Sequence, residues 1–274
     1  PCGKGIDVSR VIKELGSESM VLGFTGGYTG LELTDLLTAE GIANDFTPIR
    51  NETRSNLTIY QQKKKMQTLL CTPQPVVSEE EMNVFFEKAV QIPDESSVVI
   101  GGAVPAGLSD DTFARLIHHF KSKNIKVFFD SDHEPFKLGV SAGPYMVKPN
   151  IFELNRLAST KVSDIKDIAE AVKPFREMIE YIIVSMGARG AVGFSKEGNY
   201  HVVPPKVRVR NSTGAGDSLL GGVVSTMNAT GSFEEALKIG VACGTASTLG
   251  ISGNNVCAKT DMESIKKEVI IEKF

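Results

Sequence analysis

From residue 97 onward, short apolar runs alternate with longer stretches of mixed polarity, the pattern of buried strands separated by amphipathic helices. Ser97-Val98-Val99-Ile100-Gly101 predicts a strand, Asp110 to Lys123 a helix, and Ile125-Lys126-Val127-Phe128-Phe129-Asp130 the next strand. Tyr145 to Lys148 predicts a further strand with a helix from Asn150 onward, and Tyr181-Ile182-Ile183-Val184-Ser185 is an apolar run that ends in a glycine-bearing turn. Alternation of this kind predicts an α/β fold with a mostly parallel sheet covered by helices, in which ligands gather at the carboxyl ends of the strands.

Two regions depart from the alternation. Pro1-Cys2-Gly3-Lys4-Gly5 leads directly into a helical pattern at Asp7 to Leu15 with no starting methionine, so more chain is expected before Pro1. Residues 44–71 predict strands at Asp45 to Arg50, Asn56 to Gln62 and Met66 to Cys71 without helices between them. That segment is either a small β lid or a β-meander with a packing role only. No internal repeat or long linker divides the chain, so residues 1–274 are expected to form one main domain.

Charge and composition narrow the classes of function. A net charge of −3 and a pI near 5.9 provide no electrostatic footprint for nucleic acid, and the Lys63-Lys64-Lys65 run is expected to be a solvated strand edge. Cys2, Cys71, Cys243 and Cys257 are widely spaced with no C-x-x-C pair, against both a zinc site and a disulfide framework. No apolar run approaches the roughly 20 residues of a membrane-spanning helix. The expectation is a soluble, cytoplasmic protein with neither membrane nor nucleic-acid partners.

The stretch from Asn211 to Gly221 carries the chemistry. It places Asp217 just inside a helix opened by Gly214, Ala215 and Gly216, whose backbone N–H groups no bulky side chain obstructs. The positive end of such a helix favours a phosphate, and a carboxylate beside it can take a proton from an attacking hydroxyl. The competing reading makes Thr213 an N-cap and Asp217 a first-turn acid. A dinucleotide fingerprint is disfavoured because Leu219 stands where its third glycine belongs, and no P-loop motif occurs anywhere.

Five ordered motifs extend this reading across nearly the whole chain: Gly3-Lys4-Gly5, Thr53-Arg54-Ser55-Asn56-Leu57-Thr58, Lys148-Pro149-Asn150-Ile151-Phe152-Glu153, Ser185-Met186-Gly187-Ala188-Arg189-Gly190 and Gly214-Ala215-Gly216-Asp217. Together they resemble the ribokinase-like carbohydrate kinases of the phosphofructokinase B type, in the branch with 1-phosphofructokinase and tagatose-6-phosphate kinase. The resemblance implies a three-layer α/β/α sandwich with a small β-sheet lid, and ATP-dependent phosphorylation of a sugar phosphate, fructose 1-phosphate first and tagatose 6-phosphate second. A kinase for an unphosphorylated sugar or nucleoside, or a non-catalytic sugar-phosphate sensor, stays open beside it.

In residue terms it implies Asp217 as the base, Gly214 to Gly216 as the anion hole, and Lys148, Asn150, Ser185, Gly187 and Gly190 as the ATP site. Magnesium (Mg2+) falls to Asn150 and Glu153 through water, although the same three-residue spacing makes a capping box. Gly3, Lys4, Asp7, Arg54 and Asn56 fall to the acceptor, and lid strands can pair into a homodimer. Two positions depart from the family pattern. Asp7 stands where an asparagine is usual, and Asp130-Ser131-Asp132-His133 replaces Asp-[Thr/Ser]-Ser-Gly, adding negative charges that Lys4, Arg54 or His133 must offset.

Overall fold

The structure, a computed structural model, describes residues 1–61, 66–250 and 256–274. The Lys63-Lys64-Lys65 run lies outside the described residues. In chain order the strands are β1 (Met20–Val21), β2 (Phe24–Thr25), β3 (Ala43–Asn44), β4 (Thr47–Pro48), β5 (Asn56–Gln61), β6 (Met66–Cys71), β7 (Ser97–Gly101), β8 (Lys126–Asp130), β9 (Met146–Val147), β10 (Tyr181–Ser185), β11 (Ala191–Phe194), β12 (Asn199–Val203) and β13 (Ile270–Lys273). The helices are α1 (Lys4–Glu14), α2 (Gly27–Ala39), α3 (Glu79–Val90), α4 (Thr112–Ser122), α5 (His133–Ser141), α6 (Ile151–Leu157), α7 (Ile165–Val172), α8 (Ala215–Thr230), α9 (Phe233–Ser247) and α10 (Lys259–Lys266). The chain divides into two units: residues 2–18, 93–103 and 110–274 form one, and residues 1, 19–92 and 104–109 the other.

The larger unit is built on a seven-stranded sheet in the order β13-β12-β11-β10-β9-β8-β7. Strands β7 to β10 are parallel, and β10 to β13 run antiparallel, so the helix-linked half is continued by a meander at the far edge. Period-two alternation sends successive side chains to opposite faces. Phe128 therefore packs with Val8 and Val11 of α1, Leu220 and Val223 of α8 and Val241 of α9. Its neighbour Phe129 meets Phe113 of α4 and Phe136 of α5, ring centroids 5.7 and 5.5 Å apart. Both rings are fully buried, and each face of the sheet has its own helical layer, the three-layer arrangement expected.

The smaller unit carries α2 and α3 with three two-stranded sheets, β1 parallel to β3, β2 parallel to β4, and the antiparallel hairpin β5–β6. The single strand expected over Asp45 to Arg50 is divided: Asp45 N–H donates to the Val21 carbonyl, beside β1, and the N–H groups of Thr47 and Ile49 donate to the Gly23 and Thr25 carbonyls, so only the two residues of β4 lie in a ladder with β2. Among the described residues no helix is long and apolar enough to cross a membrane.

Candidate active site

Asp130 ends β8 at the carboxyl edge of the parallel sheet, 1% exposed after three fully buried residues. Two cations meet it there. Lys4, the first residue of α1, donates from Nζ to Asp130 Oδ1 at 2.9 Å. Lys148 follows β9, is brought alongside by its N–H on the Phe129 carbonyl at 3.2 Å, and sets Nζ 2.9 Å from Oδ2, a contact of charges rather than an aligned hydrogen bond. Burial alone would raise the Asp130 pKa, but Lys148 and then Lys4 outweigh it and hold the carboxyl below its usual range. Burial likewise works against the Lys148 ammonium, and Asp130 more than offsets it, so the pKa of Lys148 is raised. The site thus contains a buried Asp130–Lys148 pair in which each partner favours the other's charged form.

The glycine-opened helix lies against this cluster. Gly214 sits at φ 80°, a left-handed conformation glycine adopts without strain, and turns the chain into α8. A Cβ on Gly216 would stand 3.3 Å from Lys148 Nζ, so the amide-bearing turn and the lysine are neighbours. The helical ladder begins with Ser218 N–H on the Gly214 carbonyl at 2.8 Å, which places the N–H groups of Gly216 and Asp217 ahead of it. The Ala215 N–H is turned toward the Ser212 carbonyl at 3.3 Å, leaving Gly216 and Asp217 as the stronger donors of the expected hole.

Asp217 is pushed up to about 6, first by burial and then by Asp130 and Asp7, against the opposing pull of Lys148 and Lys4. A carboxylate poised there is half-way between a strong acid and a useful base near neutral pH. Its four electrostatic partners come from α1, β8 and the end of β9.

Asn150 and Glu153 form a complete capping box at the start of α6. Asn150 Oδ1 accepts from Phe152 N–H at 2.8 Å and Glu153 N–H at 3.0 Å, and Glu153 Oε2 accepts from Asn150 N–H at 2.7 Å. Glu153 is buried, which raises its pKa, and the nearby Asp130 adds to the effect. Direct ligation by Asn150 would have to displace two backbone donors, whereas Glu153 keeps a second oxygen for a hydrated cation. No group of three or more His, Cys, Asp or Glu side chains among the described residues is placed to hold a metal ion.

Ser185 closes β10 beside this helix start, its N–H donating to the Pro149 carbonyl at 3.0 Å. The turn that follows separates its two glycines by role. A Cβ on Gly190, φ 84°, would lie 1.9 Å from the Val202 carbonyl oxygen, so that glycine is demanded by the packing of β11 on β12. A Cβ on Gly187, φ 61°, would meet nothing within 4 Å, and the space on that side of the turn is open to a ligand. Arg54 and Asn56 belong to the smaller unit, Arg54 exposed in the loop before β5 and Asn56 the exposed first residue of that strand.

Of the residues expected to offset the two unexpected acids only His133 lies beside one of them, and the closer partners are two arginines the motifs did not single out. Asp7 pairs with Arg10 at 3.0 Å, one helical turn on, and both side chains are nearly buried. Cys2 lies 3.5 Å from the other Asp7 oxygen, its thiol pushed up to about 11 by burial and then by Asp7, so it stays protonated and donates. Asp132 pairs with Arg156 and, at 3.5 Å, with His133. The three-residue spacing of Asp7 and Arg10 on a helix was a readable signal. Asp132 and Arg156 are 24 positions apart, and only the packing of α5 on α6 joins them.

Known proteins resemble this chain over most of its length. A family model described as pfkB family carbohydrate kinase matches residues 1–260. The chain is 32% identical over 272 residues to the 1-phosphofructokinase of Borreliella burgdorferi, covering 98% of this chain and 87% of that protein. It is 33% identical over 241 residues to the tagatose-6-phosphate kinase of Staphylococcus epidermidis, covering 86% of this chain and 77% of that one. Among solved structures, phosphofructokinase-2 from Escherichia coli in complex with fructose-6-phosphate matches with a TM-score of 0.92 at 29% identity, over 98% of this chain and 87% of that one.

Proposed function

This chain belongs to the pfkB family of carbohydrate kinases, and from that membership we propose that it transfers the γ-phosphoryl group of ATP to a hydroxyl of a ketohexose phosphate, fructose 1-phosphate to fructose 1,6-bisphosphate foremost. The observation that carries the mechanism is Asp217, a carboxyl pushed to about 6 at an amide-lined helix start, under the pull of the buried Lys148 and the partly exposed Lys4. Asp217 accepts the proton of the acceptor hydroxyl as its oxygen bonds to phosphorus and the bond to the ADP oxygen breaks. The N–H groups of Gly216 and Asp217, with those of Gly214 and Ala215 behind them, donate to the phosphoryl oxygens. Lys148 brings positive charge to the phosphates, and Asp130 holds that lysine, with Lys4, in place. Positioning supplies most of the acceleration, since a loose phosphoryl transition state asks little covalent help of the protein.

The nucleotide falls to Lys148, Asn150, Ser185 and the open side of the turn at Gly187, with Gly190 shaping that turn. Glu153, and Asn150 through water, would hold Mg2+, whose chemistry there is to neutralise charge on the transferred phosphate. For the acceptor we assign Gly3, Lys4 and Asp7 to its hydroxyls, and Arg54 with Asn56 to its existing phosphate, with residues 44–71 as the lid that excludes water during transfer.

We assign a second copy of the chain as protein partner, through the β5–β6 hairpin. Its register puts Leu57, Ile59, Met66 and Leu70 on one face, and these apolar side chains are 58, 44, 53 and 50% exposed. A two-stranded hairpin with an uncovered apolar face is marginal by itself, and pairing with its own copy would cover it.

The test is ADP release across fructose 1-phosphate, tagatose 6-phosphate, fructose 6-phosphate, free hexoses and nucleosides. The highest kcat/KM is expected with fructose 1-phosphate. Preference for tagatose 6-phosphate, the substrate in the name of the Staphylococcus epidermidis relative, would transfer the same mechanism to that acceptor. Preference for an unphosphorylated sugar would remove the role of Arg54.

A further inference from the structure

The loop that leads to Arg54 is tied down one residue after another within the smaller unit. The Arg50 N–H donates to Glu81 Oε1 at 2.7 Å, and Asn51 Oδ1 accepts from the Val76 N–H at 3.3 Å. Thr53 accepts at Oγ1 from the Gly26 N–H at 2.9 Å and returns its own N–H to the Gly26 carbonyl at 2.8 Å. Between them Glu52 reaches the start of α2, where Oε1 accepts from the Thr29 N–H at 2.6 Å.

That contact is chemically specific. The ladder of α2 begins with Gly30 N–H on the Gly26 carbonyl at 3.2 Å, so the Thr29 N–H comes before it and needs an outside acceptor. A carboxylate at the positive end of a helix is favoured, and the Thr29 amide, with the Thr29 hydroxyl, holds Glu52 below the usual carboxylate range. Gly27 completes the fit. Its φ is 67°, and a Cβ there would lie 1.6 Å from Glu52 Oε2.

We propose that Glu52 is a positioning residue for acceptor binding: clamped on the start of α2, it fixes the loop that presents Arg54 to the acceptor's phosphate. The inference rests on the assignment of Arg54 made above. A long arginine on an untethered loop loses much freedom when it binds, whereas a loop already held at four successive residues has given up that freedom in advance. Glu52 itself touches no substrate.

A double-mutant cycle on the full chain tests this, with steady-state kinetics on fructose 1-phosphate and ATP. Glu52→Ala is expected to raise KM for fructose 1-phosphate roughly 5-fold or more while KM for ATP stays unchanged. Glu52→Gln keeps an oxygen for the Thr29 N–H and should recover most of the loss. In the Arg54→Ala background, Glu52→Ala should have no further effect on KM. Glu52 is exposed, so its removal leaves the core intact, and Gly27→Ala, which expels the carboxylate sterically, should raise KM for the sugar phosphate in the same way. An effect of Glu52→Ala that persists without Arg54, or that raises both KM values alike, overturns the clamp alone. An unchanged KM for fructose 1-phosphate in Arg54→Ala overturns the phosphate contact, and the clamp with it.

Discussion

Asp217 is both the most useful and one of the least comfortable residues in the protein. Its folded-state pKa of about 6 exceeds the ordinary 3.8, so the folded chain holds this proton more tightly than the unfolded chain does. Stability from this group therefore falls as pH rises from about 4 to 6 and stays lower above that, by roughly 3 kcal/mol. Asp217→Asn removes that cost, so its melting temperature should exceed that of the parent at pH 8 and the gain should vanish below pH 4. The same variant should lose turnover by at least ~10³-fold while still binding nucleotide by calorimetry. In the parent, kcat/KM should fall on the acid side of about pH 6, where the base becomes protonated. Retained turnover in the variant would remove the base assignment. At this scale the sequence was legible wherever chemistry is local. Asp217 was readable from its own glycines, and the Asp7–Arg10 pair from helical spacing, whereas the Lys4–Asp130 contact spans 126 positions and has no local signature.

Elements set how closely these groups can approach. Helices α8 and α9 meet along a seam of small residues: a Cβ on Gly240 would lie 2.6 Å from Val223 Cγ2 and 2.9 Å from the Leu219 carbonyl, and one on Gly244 would lie 2.9 Å from the Ala215 carbonyl. The second of these contacts is at the opening of α8, one residue from the amide hole. Gly244→Ala should therefore destabilise the fold by about 1–3 kcal/mol in urea titration, because backbone cannot yield as a flexible side chain would, and should lower kcat through displacement of Asp217. The capping box at α6 offers a cleaner separation of roles. Glu153→Gln preserves the box, since glutamine accepts the same N–H, but deletes the charge. If Glu153 faces the metal, the Mg2+ concentration for half-maximal activity should rise several-fold with little change in melting temperature. An unchanged Mg2+ requirement would leave the residue a cap only. Sequence spacing fitted both roles equally, and the distances establish the box.

For the whole molecule, the exposed apolar face of the β5–β6 hairpin is where the proposed pairing with a second copy would occur. Leu57→Asp should shift the chain from dimer to monomer in sedimentation velocity, with the larger unit's melting transition unaffected. A parent that sediments as a monomer at micromolar concentration would refute the pairing. What the sequence by itself determined is the periodic and the local: the α/β alternation from residue 97, the glycine-opened start of α8, the order of five motifs and the hairpin strands. Such features depend on neighbours a few positions apart, where the 2.0 and 3.6 periods and helix-end chemistry act. The tertiary structure alone decided which charges meet. Asp130 draws Lys4 and Lys148 together, Arg156 pairs with Asp132, and Asp217 moves to about 6, because burial and Coulomb attraction act through space between elements that only the folded sheet brings together.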